Sequence, residues 1–80
     1  MKVCSKSRVF DALRFTGSNL DEVKIFVGDS LISEKPLLVD SDCCVANVSS
    51  GDWILLKDSC FYVRDARYFA LNYSIVEEWI

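Results

Sequence analysis

Residues 51–64, GDWILLKDSCFYVR, decide how the chain folds. Two runs of strand-forming residues, WILLK and CFYVR, flank the polar pair Asp58-Ser59. This predicts a β-hairpin, although Asp-Ser is a weaker turn signal than Asn-Gly. A loop of two or of four residues pairs Leu56 with Phe61 and Ile54 with Val63, which makes one face wholly apolar. Side chains alternate across a strand, so the other face carries Trp53 beside Arg64, Leu55 beside Tyr62 and Lys57 beside Cys60. That face is aromatic and cationic. A guanidinium over an indole is attracted by roughly 0.5–2 kcal/mol, depending on exposure.

Downstream of the hairpin, Asp65 can cap a short helical turn through residues 66–70 that points Phe69 at the core. Residues 72–76 return to alternation, with Tyr73 and Ile75 on one face, and read as a closing strand. In the tail after them, Trp79 and Ile80 either close the core or form an exposed hook. Upstream, residues 49–52 are a turn. Leu31-Ile32, residues 36–39 and residues 43–48 are short apolar runs broken by polar triplets, too short and too β-rich for helices. Pro36 cannot donate to a ladder and should open its strand or lie on an edge. Residues 18–28 carry the clearest helical signal. Ser18 or Asn19 can cap, Asp21 and Glu22 suit the positive helix end, and Gly28 can stop the helix. Leu20, Val23 and Val27 form the buried stripe, widened by Ile25 and Phe26. Residues 8–15 form the first strand, apolar on both faces, with Asp11 on one and Arg14 on the other. The fold expected is α+β: one domain over residues 1–80, with a mixed but mostly antiparallel sheet of four to six short strands. One main helix over residues 19–27 and a short helical turn near 65–70 pack on it.

Composition narrows the function classes. Eighty residues, about half of them hydrophobic, suit one small domain whose apolar segments are committed to its core. The formal net charge of −3 comes with nine scattered basic residues, which argues against direct nucleic-acid binding or another acidic partner. No apolar run is long enough to span a bilayer, and the N-terminus has no apolar leader, so the expected location is the cytoplasm, with no membrane partner. Cys4, Cys43, Cys44 and Cys60 show no CxxC spacing and read as free, mostly buried thiols rather than a zinc site. The chain has no histidine and only three glycines, which removes Cys-His and Ser-His pairs and glycine-loop phosphate cradles. Asp40 and Asp42 share a face and could hold a cation or act as an acid/base pair, but a solvated turn explains them better. Neither a cofactor nor a metal is expected, and the reading is of a protein without catalysis.

The order DALRFTGSNLDEVKIFVGD, a β-rich middle, then GDWILLKDSCFYVRDARYFALNY resembles a family of small proteins of tailed phages and prophages. In that family a Q-F-T-G-like strand end precedes an N-L-E-E-V-K-like helix and a later G-D-W-I hairpin. The matching residues are Asp11, Ala12, Phe15, Thr16, Gly17, Asn19, Leu20, Val23, Lys24, Gly51, Asp52, Trp53, Ile54, Phe61, Tyr62 and Phe69. They fall in two blocks, with residues 31–49 unmatched. The chain departs at Arg14, where the family more often has an amide, and at Asp58-Ser59, where it tends to carry glycine. The resemblance implies a phage origin and an α+β fold. It brings no catalytic residue.

Trp53, Tyr62 and Arg64 are either a second layer of core or a binding face bordered by Asp11, Arg14 and Arg67; Trp, Tyr and Arg dominate interface energetics. The first functional expectation is a phage accessory protein that binds and inhibits a host protein, a defence or transcription component, in the host cytoplasm. The alternative is a nucleotide-sequestering protein in which Trp53 or Tyr62 stacks a base and Arg14, Arg64 or Arg67 holds phosphate. Mimicry of nucleic acid fits less well, because the acidic residues are spread along the chain. So much apolar sequence over a single main helix also suits a homodimer.

Overall fold

The computed structural model describes residues 1–42 and 44–76. β6 (Trp53–Lys57) and β7 (Cys60–Arg64) form the expected hairpin, with Ile54 opposite Val63, Leu56 opposite Phe61 and Trp53 opposite Arg64. Asp58 and Ser59 close it at φ 53° and 65°. Those are the left-handed conformations that a two-residue type I′ loop needs at both positions. β2 (Arg8–Arg14) pairs with the free edge of β6 and sets Arg14 opposite Trp53 and Leu13 opposite Ile54. The junction is tied by Gly51, whose N–H donates to Phe15 O at 2.6 Å; Phe15 N–H in turn donates to Asp52 O at 2.9 Å. Gly51 sits at φ 95°, where a side chain would be strained.

β1 (Lys2–Ser5) pairs antiparallel with β2 through a turn at Lys6-Ser7, and β8 (Ser74–Val76) pairs with β1. The result is a five-stranded sheet in the order β7-β6-β2-β1-β8. β1 was not expected. Its turn residues lie at φ 50° and 71°, yet Lys-Ser carries none of the residues that usually announce such a turn.

The middle of the chain departs from the expected single sheet. β3 (Leu31–Glu34), β4 (Leu37–Asp40) and β5 (Val45–Asn47) pair only with one another, in a separate three-stranded sheet. Short connections favour pairing between sequence neighbours, and β2 is already joined directly to β6. Every pairing among the described residues is antiparallel, so the mixed character expected of the sheet is absent from them. Pro36 lies in the turn just before β4, as its missing N–H requires.

α1 (Leu20–Val27) covers nearly the expected span and stops at Gly28, φ 55°, whose N–H donates to Lys24 O. Two details differ. Asn19 does not cap the helix; its Oδ1 accepts from Thr16 N–H at 2.8 Å and its Nδ2 donates to Arg14 O at 2.8 Å, stitching the loop after β2 instead. Ile25 is 85% exposed and so does not widen the buried stripe.

Two hydrophobic clusters follow from the alternation. Ile54 and Phe61 join Val23 and Val27 of α1 with Leu37, Val39 and Val48 in a mostly aliphatic cluster. Val3, Phe10, Ala12, Trp53 and Leu55 join Phe69 of α2 (Ala66–Asn72) in a second, more aromatic one. The cysteines contribute little: Cys4 is half-buried, and Cys44 and Cys60 are exposed, against the burial expected of them. A small, weakly polar side chain at a strand end or turn follows its position rather than its hydropathy. Cys43, Trp79 and Ile80 lie outside the described residues.

Candidate binding surface

The side of the five-stranded sheet that bears Trp53 is shaped by one capping bond. Asp65 Oδ1 accepts from Tyr68 N–H at 2.7 Å, which starts α2 directly after β7 and folds it back over the strands. Phe69 then stacks on Trp53 at 3.9 Å between ring centroids, with planes 5° apart. Tyr73 stacks on Phe69 at 5.2 Å and 8°. Trp53, Phe69 and Tyr73 thus form one ladder of near-parallel rings.

That ladder corrects the expected role of Trp53. The indole is 8% exposed and belongs to the core; a base or a partner side chain has no face of it to stack on. The expected contact of Arg64 with the indole is replaced as well. Arg64 lies over the Tyr62 ring at 5.6 Å and the Tyr68 ring at 5.7 Å, and its Nη1 donates to Val63 O at 2.9 Å. Arg64 and Tyr68 meet because α2 begins immediately after the strand.

Of the remaining expected residues, Tyr62 is half-buried, edge-on to Phe10 at 5.9 Å. Arg14 is exposed and sits opposite Trp53 on the same face, so the row Arg14, Trp53, Arg64 crosses three strands. Arg67 is exposed on α2. Asp11 does not border this surface: it pairs with Lys2 across β1 and β2, on the opposite face of the sheet. The structure therefore brings Tyr62 and Arg64 together, leaves Arg14 at the far end of the Trp53 row and removes Asp11.

Several residues of this surface were not singled out from the sequence. Tyr68 is 48% and Leu71 76% exposed, both on α2. Their spacing of three residues, counted from the Asp65 cap, places them away from Phe69 and was the available signal. On the same side of the sheet, a cavity of about 370 Å³ opens between the Lys6-Ser7 turn and α2, lined by Lys6, Arg8, Phe10, Tyr68, Asn72 and Tyr73 together with Ser5. Its cations could be placed only once residues 2–14 were read as a hairpin.

Elsewhere, an open apolar groove lies against Leu13, Glu22, Ile25 and Phe26. Asp40 and Asp42 are exposed and border a shallow hollow at the β7 edge, where Asp42 N–H donates to Phe61 O at 2.9 Å. Among the described residues no three His, Cys, Asp or Glu side chains converge as metal ligands, and no helix is long and apolar enough to cross a membrane. Compared with protein-family models, curated proteins and solved structures, the chain matches none. The surface offers cation–π contacts, exposed apolar area and hydrogen bonding, which is the chemistry of recognition.

Proposed function

We propose that the protein is a phage-encoded accessory protein that binds and inhibits a host protein in the host cytoplasm, without catalysis, through the surface around Arg64, Tyr68 and Leu71. One observation carries this reading: a guanidinium held over two tyrosine rings, at 5.6 and 5.7 Å, with an exposed leucine three residues after the second tyrosine on α2. Arg and Tyr are over-represented among the few residues that dominate interface energies. An arginine already fixed by two rings and a backbone carbonyl loses little rotamer freedom when a partner docks. Exposed Arg67 adds positive charge to the same helix, so the partner should present a carboxylate next to an apolar patch.

The test is differential capture. Immobilised wild-type protein and the Arg64→Ala/Leu71→Asp variant are each exposed to host lysate and the retained proteins are identified by mass spectrometry. Neither side chain is among the buried core residues, and circular dichroism establishes that the variant still folds. The expected result is a host protein retained by the wild type and lost with the variant, whose own activity falls when purified wild type is added. A retained set identical for the two proteins overturns the assigned surface. Retention without any effect on the partner's activity overturns inhibition.

A further inference from the structure

The cavity beside α2 has a local chemistry opposite to that of the whole chain. The formal net charge is −3, yet among the described residues the lining contains Lys6 and Arg8 and no carboxylate. Among the described residues the ion pairs use Lys2, Lys24 and Lys57, so no described carboxylate pairs with either cation of the cavity. Three aromatic rings form the adjoining wall. Tyr73 is held by Phe69 at 5.2 Å and by the edge of Phe10 at 5.6 Å, and Tyr68 tilts toward it at 6.4 Å. Asn72 Nδ2 donates to Tyr68 O at 3.0 Å, which fixes the amide and leaves its Oδ1 as an acceptor.

Two cations, fixed rings and an amide acceptor together match a ligand with one planar polar ring and one phosphate. Arg and Lys give phosphate oxygens short, charge-assisted hydrogen bonds. Aromatic side chains accept any base by stacking, and an amide reads its edge. At about 370 Å³ the cavity lies near the lower end of the roughly 300–1,000 Å³ typical of ligand pockets, which suits a single nucleotide. A polymer would need a basic track continuing beyond the cavity, and the chain is acidic overall. We propose that this cavity binds a nucleoside monophosphate, with Lys6 and Arg8 on the phosphate, Tyr68 and Tyr73 against the base and Asn72 at its edge.

The proposal goes beyond the partner-binding reading. The two sites share Tyr68, but Lys6 and Arg8 belong to the cavity alone and Arg64 and Leu71 to the partner surface alone, so variants at these residues let either reading fail by itself. The experiment titrates the ¹⁵N-labelled full chain with adenosine, guanosine and uridine 5′-monophosphates, with adenosine and inorganic phosphate as separate arms. At least one monophosphate should saturably shift the amides of Lys6, Arg8, Tyr68, Asn72 and Tyr73, binding about tenfold or more tightly than either fragment. The exposed double variant Lys6→Gln/Arg8→Gln should weaken that binding about tenfold or more while the rest of its spectrum matches wild type. The proposal is overturned if no monophosphate shifts these amides at millimolar concentration. It is equally overturned if inorganic phosphate alone binds as well, or if the double variant binds like wild type.

Discussion

The two faces of the five-stranded sheet solve the same burial problem differently. On one face, Ile54 and Phe61 are covered by side chains from α1 and from the three-stranded sheet. On the other, Trp53 and Leu55 share their cluster with a single residue of a seven-residue helix, Phe69. Branched aliphatic side chains fill space from several directions, whereas flat rings can close a face by stacking under one short element. Among the described residues α2 is the one helix on the aromatic face, and it also carries exposed Tyr68 and Leu71. Recognition chemistry and the short covering helix coincide.

The strongest way to break this comparison is to delete a ring. Trp53→Ala should destabilise by about 3–5 kcal/mol, the range for large aromatic-to-alanine changes in cores, and should lower the denaturation midpoint and abolish the near-ultraviolet signal of the ring ladder. If Trp53→Ala loses less than about 1 kcal/mol, the indole is not the keystone of that face. Ile54, fully buried on the aliphatic face, comes next: Ile54→Ala should cost about 2–5 kcal/mol, toward the lower part of that range because two elements can relax into the gap. Here the near-ultraviolet signal should persist at temperatures where the protein remains folded. Chemical denaturation with both probes separates the faces.

Removing the cap tests the dependence of the aromatic face on α2 with a smaller effect. Asp65→Ala removes the acceptor of Tyr68 N–H and should cost about 1 kcal/mol. Hydrogen exchange should speed up in residues 66–72 and leave α1 unchanged; uniform acceleration through both helices would show that the two faces do not open separately.

Much of this architecture was legible because strand alternation is a strong local signal. The register of β6 with β7 followed from Trp53–Lys57 and Cys60–Arg64 alone, and the Asp65 cap with Phe69 inward followed from one side chain and a spacing of four. The site was less legible. Whether Trp53 faces solvent depends on where α2 lands, and that is set by tertiary packing rather than by Trp53 and its neighbours. The Lys6, Arg8 and Tyr68 cluster joins residues far apart in sequence through a β1–β2 turn that has no glycine, asparagine or proline to mark it. Asn19 illustrates the opposite error: a residue with the chemistry of a cap spent its amide on Arg14 and Thr16.

The smallest effect comes from the hairpin turn and shows whether the two faces share one scaffold. Ser59 sits at φ 65°, a conformation that costs a residue with a Cβ roughly 1–2 kcal/mol and glycine almost nothing. Part of the gain on Ser59→Gly is cancelled by the greater freedom of glycine in the unfolded chain, so the net stabilisation should be about 0.5–1 kcal/mol. Trp53 lies at the far end of β6, more than about 10 Å away by strand rise, so the two changes should be independent. Ser59→Gly should thus raise the midpoint by the same free energy in wild type and in Trp53→Ala. A gain that disappears without the indole would mean that the turn is held by the aromatic face rather than by its own backbone, and the sheet could no longer be treated as a common support for two separable cores.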